Sequence, residues 1–506
     1  MTIAQQSFHL HPAADWRRIF DAVNPDGQSL NIQIRRMIVR AVEAGQLLPN
    51  TRLPSTRELA AHLGVGRNTV TSAYQQLIDE GFLASRQRSG IFVAAMMRPP
   101  QATAANPRKS GEWSARFAMH PSRMSQISKP RDWRSYPYPF LSGQYDPGLF
   151  PTNNWREAVR ATSSVQEIQV WAADMIDDDD PDLIEQLRTQ VLPRRGILAH
   201  PGEILVTIGS QQALSMLVQL LVGRETRTGL EDPGYPDLRN MVCLATRKPV
   251  FLESDEHGLL PGGAFPQCDV VFVTAGHQCP TTTVMPPARR RELIDAAVRH
   301  DVLLVEDDYD ANLSVEADRE TPSLKSLDNA ERVIYVGSFS KVLAPGLRIG
   351  YVVAPKPLID ELRVLRRLML RHPPTNNQRS LATFIALGHY RQHLARAGTA
   401  ILERSQLIAS LIPATMPSCR FQRGTGAASF WIEGPPEFDA RELAGIARAH
   451  GILIEAGDIF FSDPGKGRRF FRLGFTSIAT NRIEAGLVKL GSLAEGACRR
   501  AVALLP

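Results

Sequence analysis

The 506-residue sequence predicts two folds in one chain: a mainly α winged helix-turn-helix, then a linker, then an α/β domain with a smaller α+β subdomain at its C-terminal end. Three observations carry this. Two short amphipathic helices meet at a tight glycine turn and are followed by a small basic hairpin. Periodicity then dissolves between Ala94 and about Pro130 into a stretch rich in Pro, Ala, Thr and Asn. From about Tyr136 short apolar runs alternate with helical stretches, the pattern of a mainly parallel sheet covered by helices. The predicted divisions are an N-terminal extension (1–27), the winged domain (28–94), the linker (95–135) and the large domain (136–506), with its small subdomain from about 392.

Composition narrows the class. Hydrophobic residues make up 43% and charged residues 22%, as in ordinary globular proteins. No apolar run approaches the ~20 residues of a membrane span. Met1–Pro12 lacks the basic patch and apolar stretch of a secretory signal, so a cytoplasmic protein with no membrane partner is expected. The five cysteines are odd in number and never spaced as CxxC, which argues for reduced thiols over disulfides or zinc. Net charge is +6, but residues 1–131 hold 17 Lys+Arg against 8 Asp+Glu. A basic first quarter on a slightly acidic remainder suits a module that binds a polyanion, with nucleic acid the leading candidate.

In residues 28–45, Ile34, Met37, Ile38, Ala41 and Val42 recur at helical spacing. Ser55 caps a short helix, Thr56 to Leu63, that stops at Gly64. The next helix, Arg67 to Glu80, carries Val70, Ala73, Tyr74 and Leu77 on one face and ends at Gly81. Phe82-Leu83 and Ile91-Phe92-Val93 flank a basic tip, which reads as a wing. Arg67, Asn68, Thr69, Thr71 and Ser72 are short polar or basic side chains suited to reading base edges in a major groove. Arg52, Ser55, Thr56 and Arg57, with Arg86 and Arg88 on the wing, would take phosphates of a double-stranded operator.

Leu53-Pro54-Ser55-Thr56-Arg57-Glu58-Leu59-Ala60, Leu63-Gly64-Val65, Arg67-Asn68-Thr69-Val70 and Tyr74-Gln75-Gln76-Leu77 closely resemble the winged-helix domain of GntR-type regulators. The resemblance covers residues 28–93 and adds Tyr74 to the DNA-binding candidates. Gly66 stands where that family often has a serine cap, so one capping or phosphate hydrogen bond is expected to be missing.

In the large domain the apolar runs are Ile204–Ile208, Val250–Leu252, Val270–Val273, Val302–Val305, Val333–Val336 and Ile349–Val353. Helices near Ala440–Ala449 and Ile483–Ala494, around Phe470–Phe475, form the small subdomain. Lys341 follows Gly337-Ser338-Phe339-Ser340 just past a buried strand, with Arg348 seven residues on. Sheets of this kind bind ligands at the carboxyl ends of their strands. A lysine beside hydroxyls and an arginine suits an amine that condenses with an aldehyde next to a phosphate, and pyridoxal 5'-phosphate is the obvious such molecule. Glu306-Asp307-Asp308-Tyr309-Asp310 also follows a strand, and Asp307 is assigned to a pyridinium nitrogen and Tyr309 to the ring oxygen. An acidic loop or a divalent-cation site is the alternative. Gly209, Ser210 and Gln211 open a helix after a strand and form a candidate phosphate site, or a plain strand-to-helix turn. Tyr235, after Asp232-Pro233-Gly234, offers a ring for stacking, or is a core tyrosine. Asp177-Asp178-Asp179-Asp180 reads as a solvated loop and helix start, with no function assigned.

The order Gly209-Ser210-Gln211, Asp232-Pro233-Gly234-Tyr235, Asp307 and Tyr309, Ser338 to Lys341, and Arg348 resembles fold-type I aminotransferases of class I/II, from about Tyr136 to the C-terminus. The resemblance implies a Schiff base on Lys341, a phosphate held by Ser338, Ser340 and Arg348, stacking by Tyr235, and a carboxylate clamp at Arg472. Aminotransferases usually show Asn-Pro-x-Gly where this chain has Cys279-Pro280-Thr281-Thr282, so Gln278 or His277 is the expected substitute for the asparagine. Thr274 to Pro280 is instead similar to the His-Gln-x-Pro variant of MocR or GabR-like regulators, which join a GntR winged helix to an aminotransferase-like domain. That resemblance implies a head-to-tail homodimer that senses a small amino compound by aldimine exchange at Lys341. An active aminotransferase carrying a DNA-binding domain is the alternative, and a cofactor-free dimerisation scaffold is a third. The effector, and the sense of regulation, stay open.

Overall fold

The computed structural model describes residues 14–22, 29–86, 89–94, 113–310, 322–422 and 428–503. The chain divides into two compact units, residues 1–118 and 119–506. Arg88 and residues 95–112 of the expected linker lie outside the described residues.

The first unit holds α1 (Ala14–Ala22), α2 (Leu30–Glu43), α3 (Thr56–Leu63), α4 (Arg67–Asp79), β1 (Leu83–Arg86) and β2 (Gly90–Val93). Ser55 and Glu58 close a capping box on α3. The Ser55 hydroxyl accepts from the Glu58 N–H at 3.2 Å, while the Glu58 carboxylate accepts from the Ser55 N–H at 2.8 Å. Gly64 then ends α3 in a left-handed conformation, φ 66°. Gly66 starts α4 with no side-chain cap, as the missing serine predicts. Strands β1 and β2 pair antiparallel as the wing. All five apolar positions read from the α2 sequence are buried. The sequence reading did not anticipate α1. It is nine residues long in a segment read as an extension, yet Trp16 and Phe20 enter the core and Arg17 Nη1 donates to the Leu63 carbonyl at 2.7 Å.

The second unit contributes β3 (Tyr138–Pro139), β4 (Ile204–Thr207), β5 (Arg227–Asp232), β6 (Lys248–Asp255), β7 (Gly258–Leu259), β8 (Val270–Val273), β9 (Leu303–Asp308), β10 (Val333–Ser338) and β11 (Gly350–Val353). Eight of these form one sheet in the order β4-β11-β10-β9-β8-β5-β6-β7. The run from β10 to β6 is parallel, and the flanking pairs are antiparallel. Alternation along the strands divides the core. Phe272, Val305 and Ile334 pack with the helix Gly209–Leu221, whereas Val271, Leu304 and Val333 pack with the helix Pro287–His300. β5 lies inside the sheet although its sequence did not suggest a strand, because Leu230 is its one large apolar side chain. A Cβ on Gly229 would stand 2.7 Å from Val271 Cγ2 and 2.8 Å from Leu252 Cδ1, so the neighbouring strands occupy the space a side chain would take.

The small subdomain holds β12 (Arg420–Gln422), β13 (Ser429–Glu433), β14 (Ile452–Leu453), β15 (Glu455–Ala456) and β16 (Phe470–Gly474). Four form an antiparallel sheet in the order β12-β13-β16-β15, and β14 pairs with β3 from the start of the unit. The acidic run at 177–180 corrects one expectation. Asp180 does cap the helix Pro181–Gln186, but Asp179 is buried rather than solvated, 2.5 Å from Arg366 and 3.4 Å from Arg363.

Candidate functional site

Three strands bring the expected anion residues together. Ser338 of β10 lies opposite Gly350 of β11, which lies opposite Thr207 of β4. Beyond β4 the helix Gly209–Leu221 begins at Gly209, whose φ of 72° favours glycine. Arg348 Nη2 donates to the Ile208 carbonyl at 3.0 Å, and a Cβ on Gly209 would stand 2.9 Å from that nitrogen. The first-turn N–H groups of Gly209, Ser210 and Gln211 have no acceptor within the helix. Ser338 Oγ accepts from the Ser340 N–H at 3.2 Å, while the buried Ser340 Oγ has no hydrogen-bond partner among the described residues. Unsatisfied donors beside a guanidinium fit a phosphate.

The acidic run on β9 sorts by alternation. Glu306 accepts from the N–H groups of Leu324 and Lys325 at 2.8 and 3.0 Å. Asp308 accepts from Arg195 Nε and from the Tyr335 hydroxyl, each at 2.8 Å. Asp310 lies 3.0 Å from His277 Nδ1. Asp307 points the other way, and its buried Oδ1 has no hydrogen-bond partner among the described residues. Burial pushes its carboxyl up to about 8, with Asp308 and Asp310 adding to the shift and Lys341 opposing it. An unpartnered buried carboxylate on the cavity wall fits a protonated ring nitrogen.

Lys341 faces the same cavity, with Nζ 5.7 Å from the centre of the Tyr309 ring. A Cβ on Gly143, at φ 77°, would stand 2.5 Å from that nitrogen, so glycine permits the chain to pass the amine. Burial pulls the Lys341 pKa below the ordinary lysine value, and the Arg472 charge adds to this. The Tyr235 hydroxyl donates to Gln211 Oε1 at 2.8 Å, which fixes its ring at the cavity wall. Arg472 Nε donates to Glu455 Oε2 at 2.7 Å, and its Nη1 lies 3.7 Å from Cys279 Sγ. Burial works against the guanidinium charge, but Glu455 and Cys279 outweigh it and raise the Arg472 pKa.

The cavity measures about 220 Å³. Of the expected residues, Ser210, Tyr235, Asp307, Tyr309, Lys341 and Arg472 line it. Gly209, Gln211, Ser338, Ser340 and Arg348 are not among its lining residues. Gln278 does not reach it. Its Nε2 donates to the Pro233 carbonyl at 2.6 Å and its Oε1 accepts from Thr281 N and Oγ1 at 3.0 and 2.7 Å, so the whole amide is spent on bracing two loops. His277 is committed to Asp310, and Cys279 alone of the three reaches the wall. Its thiol is pushed up to about 11 by burial, with Arg472 and Lys341 opposing. Ile127, Lys129, Ser142, Gln144, Asp237 and Glu455 complete the lining, and sequence reasoning passed them over. Only Gly143, between two of them, carried a local signal.

On the winged helix, Arg52, Ser55, Arg57, Arg67, Asn68, Thr71 and Ser72 are exposed, and Thr56 and Thr69 are half-buried. Ser55 also serves its helix as cap, and Ser72 Oγ accepts from Asn31 Nδ2 at 3.1 Å. Arg86 is held to the wing, 2.5 Å from Asn50 Oδ1 and 4.6 Å above the Phe92 ring. Tyr74 corrects an expectation. It is 1% exposed and donates to the Pro54 carbonyl at 3.0 Å, which makes it part of the core rather than of a DNA-facing surface. Its i+4 relation to Val70 already aligned it with the apolar face of α4.

Residues 30–93 match the bacterial regulatory proteins of the gntR family, and residues 143–488 match aminotransferase class I and II. The chain is 40% identical to the HTH-type transcriptional regulator TauR of Rhodobacter capsulatus, over 92% of this chain and 97% of that protein. It is 32% identical to the probable rhizopine catabolism regulatory protein MocR of Rhizobium meliloti, over 77% of this chain and 78% of that protein. Kynurenine aminotransferase from Pyrococcus horikoshii shares the fold of the second unit, with a TM-score of 0.69 and 22% identity over 76% of this chain and 98% of that one. A gntR-type winged helix followed by an aminotransferase class I and II domain, whose fold family depends on pyridoxal phosphate, places the chain in the MocR/GabR-like family of transcriptional regulators.

Proposed function

We propose that the chain is a DNA-binding transcriptional regulator whose second unit binds pyridoxal 5'-phosphate and responds to a small amino compound. The observation that carries this reading is the unpartnered Asp307 carboxylate, which shares one cavity with the Lys341 amine. When bound, the cofactor supplies an aldehyde that exchanges reversibly between primary amines. Lys341, its pKa lowered, keeps a fraction of its amine unprotonated and nucleophilic. Asp307 holds a proton at the ring nitrogen through its open oxygen. Tyr235 would stack on the ring and Tyr309 would meet its ring oxygen, while Gly209, Ser210, Gln211, Ser338, Ser340 and Arg348 would receive the phosphate. Arg472 orients an acidic group on the incoming amine.

At the other end, Arg67, Asn68, Thr69, Thr71 and Ser72 read bases while Arg52, Arg57 and Arg86 meet phosphates of a double-stranded operator. Family membership supports a head-to-tail homodimer working in the cytoplasm. A working aminotransferase is the second reading, favoured by the presence of Lys341, Asp307, Arg348 and Arg472 together. Cys279, where that chemistry usually has asparagine, weighs against it.

Two measurements test the proposal. Protein given pyridoxal phosphate and then borohydride should carry the cofactor on the peptide containing Lys341, and labelling of another lysine, or none, would overturn the cofactor half. The same protein should retard DNA from upstream of its own gene more strongly than random DNA, and equal retardation would overturn the regulator half. Rapid multiple turnover of an amino donor with a keto acid would favour the enzyme.

A further inference from the structure

Arg472 is not the only cation among the residues that line the far end of the cavity. Arg472 and Glu455 face each other across β16 and β15, are both buried, and meet at 2.7 Å, so Glu455 occupies one edge of the guanidinium. Lys129 also lines this wall, and among the described residues its ammonium makes no hydrogen bond or ion pair. Its Nζ lies 5.9 Å from the centre of the Trp133 ring, and burial lowers its pKa, with Glu455 opposing the shift and Arg134 adding to it. The effector end therefore holds a second cation, one without an ion pair among the described residues, and it comes from a segment near the start of the unit, which begins at Met119.

That segment is seated on the site. Ile127 packs against the cluster of Cys279, Trp431 and Phe460, and the Ser125 carbonyl accepts from Asn240 Nδ2 at 2.8 Å. Ile127, Lys129 and Glu455 also line a second cavity of about 570 Å³, so residues 127–129 form a wall common to both.

We propose that Lys129 is an effector-binding residue, which holds the acidic group of the incoming amine against the edge of Arg472 that Glu455 leaves open. This rests on the reading of the cavity as a cofactor and amine site. The acidic group would tie the stretch leading back toward the winged helix directly to the ligand, so that occupancy is felt by the connecting chain without passing through the sheet.

The test uses the full chain loaded with pyridoxal phosphate and titrated with two matched series, ω-amino carboxylic acids and the plain n-alkylamines of equal length, read by the visible absorbance of the bound cofactor. At least one amino acid should bind more tightly than its alkylamine. Lys129→Gln should weaken that acid by about tenfold, the loss of one charge-assisted contact, and leave the alkylamine unchanged. Lys129→Arg should restore the preference. Hydrogen exchange at residues 125–130 should slow with the acid and not with the alkylamine. Unchanged acid affinity in Lys129→Gln, or equal losses for both series, would overturn the role of Lys129 while leaving the site reading intact. Protein that binds the cofactor but prefers alkylamines would overturn the acidic-effector class. Failure of the wild-type protein to take up the cofactor would instead defeat the underlying reading, and this proposal with it.

Discussion

Asp307 and Asp308 are adjacent on one strand and lead opposite electrostatic lives. Asp308 is clamped by Arg195 and Tyr335 at 2.8 Å each, while the Asp307 Oδ1 meets no hydrogen-bond partner among the described residues. Strand alternation alone separates them. One carboxylate is a structural counter-ion, and the other is left open on the cavity wall.

Asp308→Asn should therefore unfold the protein more easily, because it breaks a buried ion pair with Arg195; breaking such pairs costs about 3–5 kcal/mol. Asp307→Asn should leave the cofactor-free protein no less stable and weaken pyridoxal phosphate. Denaturant melts and cofactor titrations of the two variants separate the roles. A destabilised Asp307→Asn would contradict the assignment.

The same carboxyl sets a pH trend. Its folded pKa, about 8, lies above the ordinary carboxyl value of about 4, so between those limits the folded state binds the proton that the unfolded state releases. Asp307 thus subtracts stability progressively as pH rises through that window, and subtracts none below it. Thermal melts of cofactor-free protein should fall with pH across this range, and the fall should be shallower in Asp307→Asn.

Gln278→Ala should behave as a structural change. Three hydrogen bonds to Pro233 and Thr281 are lost from a buried amide, a cost of about 2 kcal/mol or more. The absorbance of bound cofactor should stay as in wild type in whatever fraction remains folded. A shifted spectrum in a fully stable variant would return Gln278 to the cofactor.

On the winged helix, Tyr74→Phe should cost about 1 kcal/mol through the bond to Pro54 and leave DNA affinity unchanged. Asn68→Ala should leave stability within about 0.5 kcal/mol, as for an exposed side chain, and reduce the preference for the operator over random DNA. Band-shift titrations beside thermal melts decide between them, and the reverse pattern would place Tyr74 on the DNA.

Lys341→Ala should retain operator binding and lose every response to amines. A response that persisted would mean that the effector acts elsewhere.

The winged helix was legible almost residue by residue, because a cap, a glycine stop and a 3.6-residue apolar stripe are local rules; Ser55, Gly64 and Val70 obey all three. The parallel strands were legible from apolar runs except for β5, where the packing demand is for no side chain at Gly229 and composition carries no trace of it. Lys341 and Asp307 were legible because each sits at or beside a strand with a chemistry of its own, whereas Arg472 came only from the family resemblance.

Tertiary contact alone decided the partners. Glu455 joins Arg472 through strand register, and Lys129 and Gly143 reach Lys341's cavity from nearly two hundred residues away or more in the chain. Gln278 could be placed only by seeing which hydrogen-bond partners the fold set beside it. The sequence by itself determined the two folds, their order and the amine-carboxylate pair, since these follow from periodicity and residue type. Which charges are paired and which are open depends on distances between segments remote in sequence, and only the folded chain sets those.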